Sequence, residues 1–211
     1  MTTVFSHIKA RALALFLACC ICFTALQPSE SFAEPAWPQD VLIEAEGGIL
    51  VDADSGTVLY GKNIHQRYYP ASITKILTAL IVIERCKLDD TITFSYDAVH
   101  NVESGSTSAG YGVGDKITVR EALYALLLRS ANEVANALAE HCAGSREAFA
   151  RLMNEKAASL GCKESHFTNP SGLNDENHYT TAYDYSLIAM AAVKNPTFVE
   201  FDSTTYYELP P

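Results

Sequence analysis

The chain has 211 residues, of which 48% are apolar, 19% charged and 10% aromatic, and its 15 Lys and Arg against 25 Asp and Glu give a net charge of −10. That hydrophobicity excludes an intrinsically disordered chain. The acidic excess argues against a nucleic-acid-binding protein, which presents a basic face.

Residues 1–33 read as a secretory signal peptide. Lys9 and Arg11 form a basic start, Ala12 to Leu26 is an apolar run, and Ser31-Phe32-Ala33 is a small-x-small end. The run is shorter than the roughly 20 residues a helix needs to cross a bilayer, so cleavage is preferred to anchoring. Cys19, Cys20 and Cys22 lie inside the run, and their flanks fit a lipoprotein cleavage site poorly. No second long apolar run follows, so the expectation is that membrane anchoring is not encoded in this chain. The mature chain reads as exported and soluble. Residues 34–43 form a leader with Pro35 and Pro38, and 44–211 form the remaining domain. Three cysteines stay in the mature chain, Cys86, Cys142 and Cys162, so at most one disulfide forms within it. They read as small buried hydrophobes.

Gly48 to Asp52 and Thr57 to Tyr60 are β-rich, and Asp54-Ser55-Gly56 supplies turn chemistry between them, which predicts a hairpin. A long apolar helix is predicted from Ser72 to about Cys86, a short strand within Asp89 to Phe94, and a loop over Ser104 to Gly114. Helices follow over Glu121 to Leu128 and Asn132 to Cys142, the second stopping at Gly144. Another begins near Ser145, with Phe149, Leu152, Met153, Ala157 and Leu160 as its apolar stripe and Gly161 as its stop. Thr181 with Asp184 three positions on opens the last predicted helix, which ends before Pro196. Ser203 to Leu209 is β-prone. The early hairpin needs a third strand or a helix to be stable, and the inventory reads as a sheet wanting more strands after residue 211.

The chemistry starts at Lys75. From Ile76 to Ile83 only Thr78 is polar, so the helix is apolar on all sides and central. Lysine is rarely buried without a partner. Desolvation lowers a lysine pKa, by up to about 3–5 units when complete, and a lowered pKa makes the amine a general base. Ser72 lies three residues earlier, on the same helical face. It also starts the helix, where free N–H groups favour developing negative charge. A serine beside a base at a helix N-terminus is an activated nucleophile. The bland alternative makes Ser72 an N-cap and lets Lys75 snorkel to solvent.

Ser130-Ala131-Asn132 lies at the junction of two apolar helices. Ser130 with Glu133 reads as a capping box. A second reading puts Ser130 in a proton relay and Asn132 on a substrate amide, through its donor and acceptor. Other templates are missing: no His-Glu-x-x-His, no Gly-x-Ser-x-Gly, no P-loop and no Cys/His cluster at zinc spacing. His65, His100, His141, His166 and His178 are scattered and read as solvated or structural.

Together these segments resemble the D-alanyl-D-alanine carboxypeptidases, the low-molecular-weight penicillin-binding proteins. The matching segments are Asp54-Ser-Gly-Thr-Val-Leu-Tyr-Gly-Lys-Asn63, Tyr69-Pro-Ala-Ser-Ile-Thr-Lys75 and Leu127-Leu-Arg-Ser-Ala-Asn132. His166-Phe-Thr-Asn-Pro-Ser-Gly-Leu173 and Thr180-Thr-Ala-Tyr-Asp184 complete the set, in the family's order. The resemblance implies an α/β (α+β) fold of the β-lactamase/DD-peptidase type, an antiparallel sheet flanked by a helical cluster. It implies that Ser72 attacks the bond between the last two D-alanines of a peptidoglycan stem peptide. Lys75 takes the serine proton, Ser130 passes a proton to the leaving amine, and Asn132 positions the substrate amide. The resemblance implies no metal or organic cofactor, and β-lactam antibiotics would acylate the same serine.

The family's third motif, Lys-Thr-Gly on a later strand, occurs nowhere in this sequence. That motif supplies carboxylate contacts and one oxyanion donor, and losing one such donor costs about 10²–10³ in rate. The expectation is therefore a C-terminally incomplete sheet, in a chain that alone is nearly inactive and poorly folded. Two alternatives stand beside this reading. A class A β-lactamase would need a glutamate base on a loop, for which Glu164 with Asn169 is nearest. A non-catalytic relative would only bind cell-wall peptide or penicillin.

Overall fold

The computed structural model describes residues 42–209. The predicted signal peptide, and the leader up to residue 41, lie outside the described residues. The predicted hairpin is present: β1 (Gly48–Val51) pairs antiparallel with β2 (Val58–Lys62), with an irregularity between Leu50 and Val51. Asp52 Oδ1 accepts from both the amide and hydroxyl of Ser55 at 2.7 Å, and Gly56 takes a φ of 73° that the turn requires.

Two further antiparallel pairs join segments distant in sequence. β3 (Arg67–Tyr68) pairs with β6 (Thr180–Thr181), and β4 (Thr91–Thr93) pairs with β5 (Lys116–Thr118). The β4 strand falls inside the predicted Asp89–Phe94 run. β3, β5 and β6 are too short to show a period in sequence. The fold is therefore mixed helix and strand, with antiparallel pairs beside a helical cluster, and none of the sheets is closed.

Helix α1 (Thr74–Arg85) follows a single 3-10 turn at Ala71–Ile73. Leu77, Ala79, Leu80, Ile81 and Val82 are at most 2% exposed, as its all-round apolar sequence requires. Each such Leu, Ile or Val stabilises the fold by about 1.5–3 kcal/mol. A short helix, α2 (Tyr96–His100), comes next; α3 (Val119–Arg129) and α4 (Asn132–Ala143) then pack on α1. Thr118 and Glu121 close a capping box on α3, and Gly144 ends α4 at a φ of 84°.

Helix α5 (Arg146–Ser159) starts at Ser145, whose hydroxyl accepts from the Ala148 amide, and buries Phe149, Met153 and Ala157 of the predicted stripe. Helix α6 (Ala182–Val193) opens as predicted, Thr181 Oγ1 accepting from the Asp184 amide at 3.1 Å. It is not the last helix. Asn195 caps a further one, α7 (Pro196–Asp202), with Pro at the first position, where its missing N–H costs nothing. Residues 204–209 form no strand despite their β propensity, because no strand among the described residues lies beside them to complete a ladder. Instead Tyr207 stacks on Tyr124, ring centres 3.8 Å apart.

The three cysteines are free and half-buried, packed against the core as small hydrophobes. Asn136, on α4, is 1% exposed and its amide donates to the carbonyls of Ala98 (3.2 Å) and Asn101 (3.1 Å), tying α4 to the α2 segment. Asn136→Ala strips both carbonyls of their donor. Urea denaturation is expected to show a loss of about 1–3 kcal/mol, with an unchanged melt counting against this tie.

Candidate active site

The 3-10 turn lifts Ser72 to an exposed position while the next turn, α1's first, buries Lys75 to 2% exposure. Lys75 Nζ donates to Ser72 Oγ at 3.3 Å and to the Ser171 carbonyl at 2.7 Å. Burial pushes the Lys75 amine down to about 8, and the negative charge of Glu133 acts in the opposite direction. Snorkelling is excluded by these partners.

The Ser171 carbonyl is aimed by its own loop. Asn169 Oδ1 accepts from the amides of Ser171 (3.2 Å), Gly172 (2.7 Å) and Leu173 (3.2 Å), and from Ser171 Oγ (3.1 Å). This is side-chain mimicry of a backbone turn. Thr78 Oγ1 donates to the Pro170 carbonyl at 2.7 Å, fastening the loop to α1. Gly172 has a φ of 83°, and a Cβ there would lie 1.8 Å from the Ala71 carbonyl oxygen. Ala71 itself is left-handed, at a φ of 49°. Such a conformation in a residue with a Cβ costs of order 1–3 kcal/mol and persists only under strong tertiary constraint.

His178 fixes the other side of the loop. Its Nδ1 accepts from the Thr168 amide at 3.1 Å, so the network puts the proton on Nε2, which donates to Thr74 Oγ1 at 2.9 Å. Burial pushes His178 down to about 4, the charge of Asp175 opposing. The sequence reading of His178 as structural therefore agrees with its buried, doubly bonded place. Tyr185 donates its hydroxyl to the Ile73 carbonyl, and burial raises its pKa.

The Ser130-Ala131-Asn132 turn departs from the predicted capping box. Ser130 ends α3 in the left-handed region, at a φ of 58°, and Ala131 is the N-cap of α4, with no side-chain cap. Glu133 does not reach back to Ser130; its Oε1 accepts from Ser108 Oγ and from the Ala109 and Gly110 amides. Ser130 Oγ and Asn132 Oδ1 are buried and carry no hydrogen bond. An unpaired buried polar atom costs about 1–3 kcal/mol and asks for a functional explanation. The structure thus joins Ser72 and Lys75 directly, and Ser130 and Asn132 to neither by a hydrogen bond.

Glu164, the nearest glutamate for a second base, is bonded to His65 Nδ1 at 2.8 Å and is absent from the Ser72–Lys75 network. No group of His, Cys, Asp and Glu among the described residues suits a metal ion. The sequence alone does not announce the roles of the Ser171 carbonyl and Gly172. The Asn-Pro-Ser-Gly-Leu turn was the available signal, but a main-chain acceptor has no side-chain signature.

The pattern of the D-alanyl-D-alanine carboxypeptidase family matches residues 33–209. The chain belongs to this family. It is 37% identical over 166 residues to D-alanyl-D-alanine carboxypeptidase DacF of Bacillus subtilis, covering 76% of this chain and 42% of that one. It is 32% identical over 207 residues to DacA of Escherichia coli, covering 92% and 51%. The structure is similar to that of penicillin binding protein 6B from Escherichia coli, with a TM-score of 0.74 and 31% identity over 79% of this chain and 56% of that one. It is also similar to the D-alanyl-D-alanine carboxypeptidase from Mycobacterium tuberculosis, with a TM-score of 0.73 and 33% identity over 79% and 62%. The chain spans about half the length of the curated relatives it matches.

Two outcomes check this site. Gly172→Ala places a carbon on the Ala71 carbonyl, and urea denaturation is expected to show a loss of about 2–4 kcal/mol; a loss below about 1 kcal/mol refutes the close approach. His178 has a folded pKa of about 4 against 6.5 for the free side chain. Below 6.5 the unfolded state takes up the proton first, so stability is lost as pH falls from about 6.5 to 4. His178→Gln is expected to flatten that part of the stability curve, measured as the wild-type minus variant difference.

Proposed function

We propose that this chain carries the acylation machinery of a serine-type D-alanyl-D-alanine carboxypeptidase, with Ser72 as nucleophile. The observation that carries the reading is the 3.3 Å contact between exposed Ser72 and a buried Lys75 whose pKa is lowered to about 8. In the neutral form Lys75 Nζ accepts the Ser72 hydroxyl proton as Oγ attacks the carbonyl carbon of the penultimate D-alanine. The C–N bond then breaks. The leaving D-alanine amine takes a proton through Ser130, and the rest of the stem peptide stays as an ester on Ser72. Asn132 holds the substrate amide with the donor and acceptor of its carboxamide. Water hydrolyses the ester and frees the serine. The unpartnered Ser130 Oγ and Asn132 Oδ1 support these roles, since a substrate would supply their missing partners.

The substrate class is a peptidoglycan stem peptide ending in D-Ala-D-Ala, and β-lactams are the covalent inhibitors of the same serine. The names of the relatives support both. The signal peptide read over residues 1–33 supports action outside the cytoplasmic membrane, where such peptides lie. Among the described residues no helix is long and apolar enough to cross a membrane. The pairing of Glu164 with His65 favours the carboxypeptidase over a class A β-lactamase, which needs that carboxylate at the acyl-enzyme.

In a form that carries the family's Lys-Thr-Gly strand, a fluorescent penicillin is expected to form a covalent adduct, stalling near one equivalent, and the Ser72→Ala variant of that form to give none. Undiminished labelling of the variant, no adduct on the parent form, or steady penicillin turnover overturns the reading. The labelling rate is expected to rise with pH, because the neutral amine is the base. It reaches half its maximum near pH 8 and gains about tenfold between pH 7 and 9. A flat profile across that window excludes Lys75 as the base.

A further inference from the structure

The acidic residue just after the Ser130-Ala131-Asn132 turn has no place in the chemistry above. Glu133 lies in the first turn of α4 and is only 2% exposed. A buried carboxylate is costly unless its oxygens are bonded. Here one oxygen is bonded three times: Oε1 accepts from the Ala109 amide (2.6 Å), Ser108 Oγ (2.8 Å) and the Gly110 amide (3.1 Å). Oε2 is buried and carries no hydrogen bond. The same loop is held at a second point, where the Asn132 amide donates to the Thr107 carbonyl at 3.0 Å, and at a third, where Arg129 Nε donates to the Ser108 carbonyl at 3.4 Å.

We propose that Glu133 is a positioning residue, whose carboxylate clamps the 107–110 loop to the Ser130–Asn132 turn. The proposal rests on the reading of that turn as part of the site, and the Glu133 charge is a second, separable influence on Lys75. The clamp is geometric. A turn with left-handed Ser130 and uncapped Ala131 has little local reason to stay put. Loop donors converging on Glu133, together with the Thr107 carbonyl on the next residue back, supply that reason from outside the turn. Ser130 and Asn132 are thereby held with their oxygens unpaired, ready for a ligand.

α4 packs on α1, and the Glu133 charge bears on Lys75. Among the described residues, several other ionisable groups on the elements packed against α1 are engaged elsewhere, among them buried Asp184 on α6, whose Oδ2 accepts from the Lys163 and Glu164 amides and from Ser165 Oγ. Tyr185 on α6 is turned to the Ile73 carbonyl and His178 to Thr74. Lys156 on α5 pairs with Glu84 at the far end of α1, and Arg120 on α3 pairs with Glu200 on α7. Glu133 is the group whose charge bears on Lys75, and it opposes the effect of burial. Burial and this charge therefore act on Lys75 in opposite directions, burial the more strongly.

Glu133→Gln keeps an oxygen acceptor for the loop and removes the charge. Glu133→Ala removes both. Hydrogen exchange at the Ala109 and Gly110 amides reports the clamp, and the carbon-13 shift of Lys75 Cε against pH, assigned with Lys75→Arg, reports the charge. In Glu133→Gln the amides are expected to stay protected while the Lys75 midpoint moves to lower pH. In Glu133→Ala exchange at both amides is expected to rise at least about tenfold, the equivalent of one lost hydrogen bond. A Lys75 midpoint unmoved in Glu133→Gln overturns the charge role, and unchanged exchange in Glu133→Ala overturns the clamp. Should Glu133→Ala fail to fold, loss of amide protection in Glu133→Gln under native conditions counts against an oxygen clamp, and retained protection supports it. Neither readout needs acylation, so failure of penicillin labelling would refute the functional reading while leaving these two results to stand or fall on their own.

Discussion

An amine buried at the start of a helix is the constraint around which this protein is organised. Lysine has three donors and a charge that water would otherwise solvate. Lys75 is given two oxygen partners, the Ser72 hydroxyl and the Ser171 carbonyl, and little else. To bring that carbonyl in, the 169–173 loop is wound round the Asn169 side chain and pressed onto the Ala71 turn. The loop is then held from α1 by Thr78 and Thr74, the latter through neutral His178. Each of these contacts is small, and those from α1 reach segments far away in sequence. Their sum is a lysine that is neither free in solvent nor locked in an ion pair, which is the condition a base near neutral pH requires.

The helical cluster serves the same end. α1 is apolar on all sides because α3, α4, α5, α6 and α7 pack around it. That packing removes water from the Lys75 stem and fixes the direction in which its amine emerges. Catalytic geometry must be held to fractions of an ångström, and a helix enclosed by others is a stiffer mount than a loop. Loops supply the remaining parts of the site, but only after being fastened to helices by side chains such as Thr78, Glu133 and Asn136.

Much of this was legible in sequence where one local rule dominates. The hairpin followed from Asp-Ser-Gly turn chemistry, α1 from its apolar run, and the α6 start from the Thr181–Asp184 pair. Ser72 and Lys75 were visible because a polar pair at helical spacing stands out in an apolar context. The failures share a physical cause as well. β3 and β6 are two residues each and exist only because chain segments far apart meet. Ser130 looked like a cap because Ser-x-x-Glu obeys that rule locally, yet Glu133 found better donors in a loop. Tertiary bonds outcompeted a local one. The tail over Ser203–Leu209 shows the converse, a β propensity without a neighbouring ladder to express it.

The contact between Gly172 and Ala71 carries one more consequence. The two residues lie far apart along the chain but share a gap with no room for a methyl group. Neither can drift alone. A side chain at 172 is tolerable only if the backbone at 71 rotates out of its left-handed well, and that rotation would carry the neighbouring Ser72 with it. Substitutions at the two positions should therefore be strongly non-additive. Lineages of this fold can explore new residues there only by moving both segments together, with the Ser72 hydroxyl as passenger.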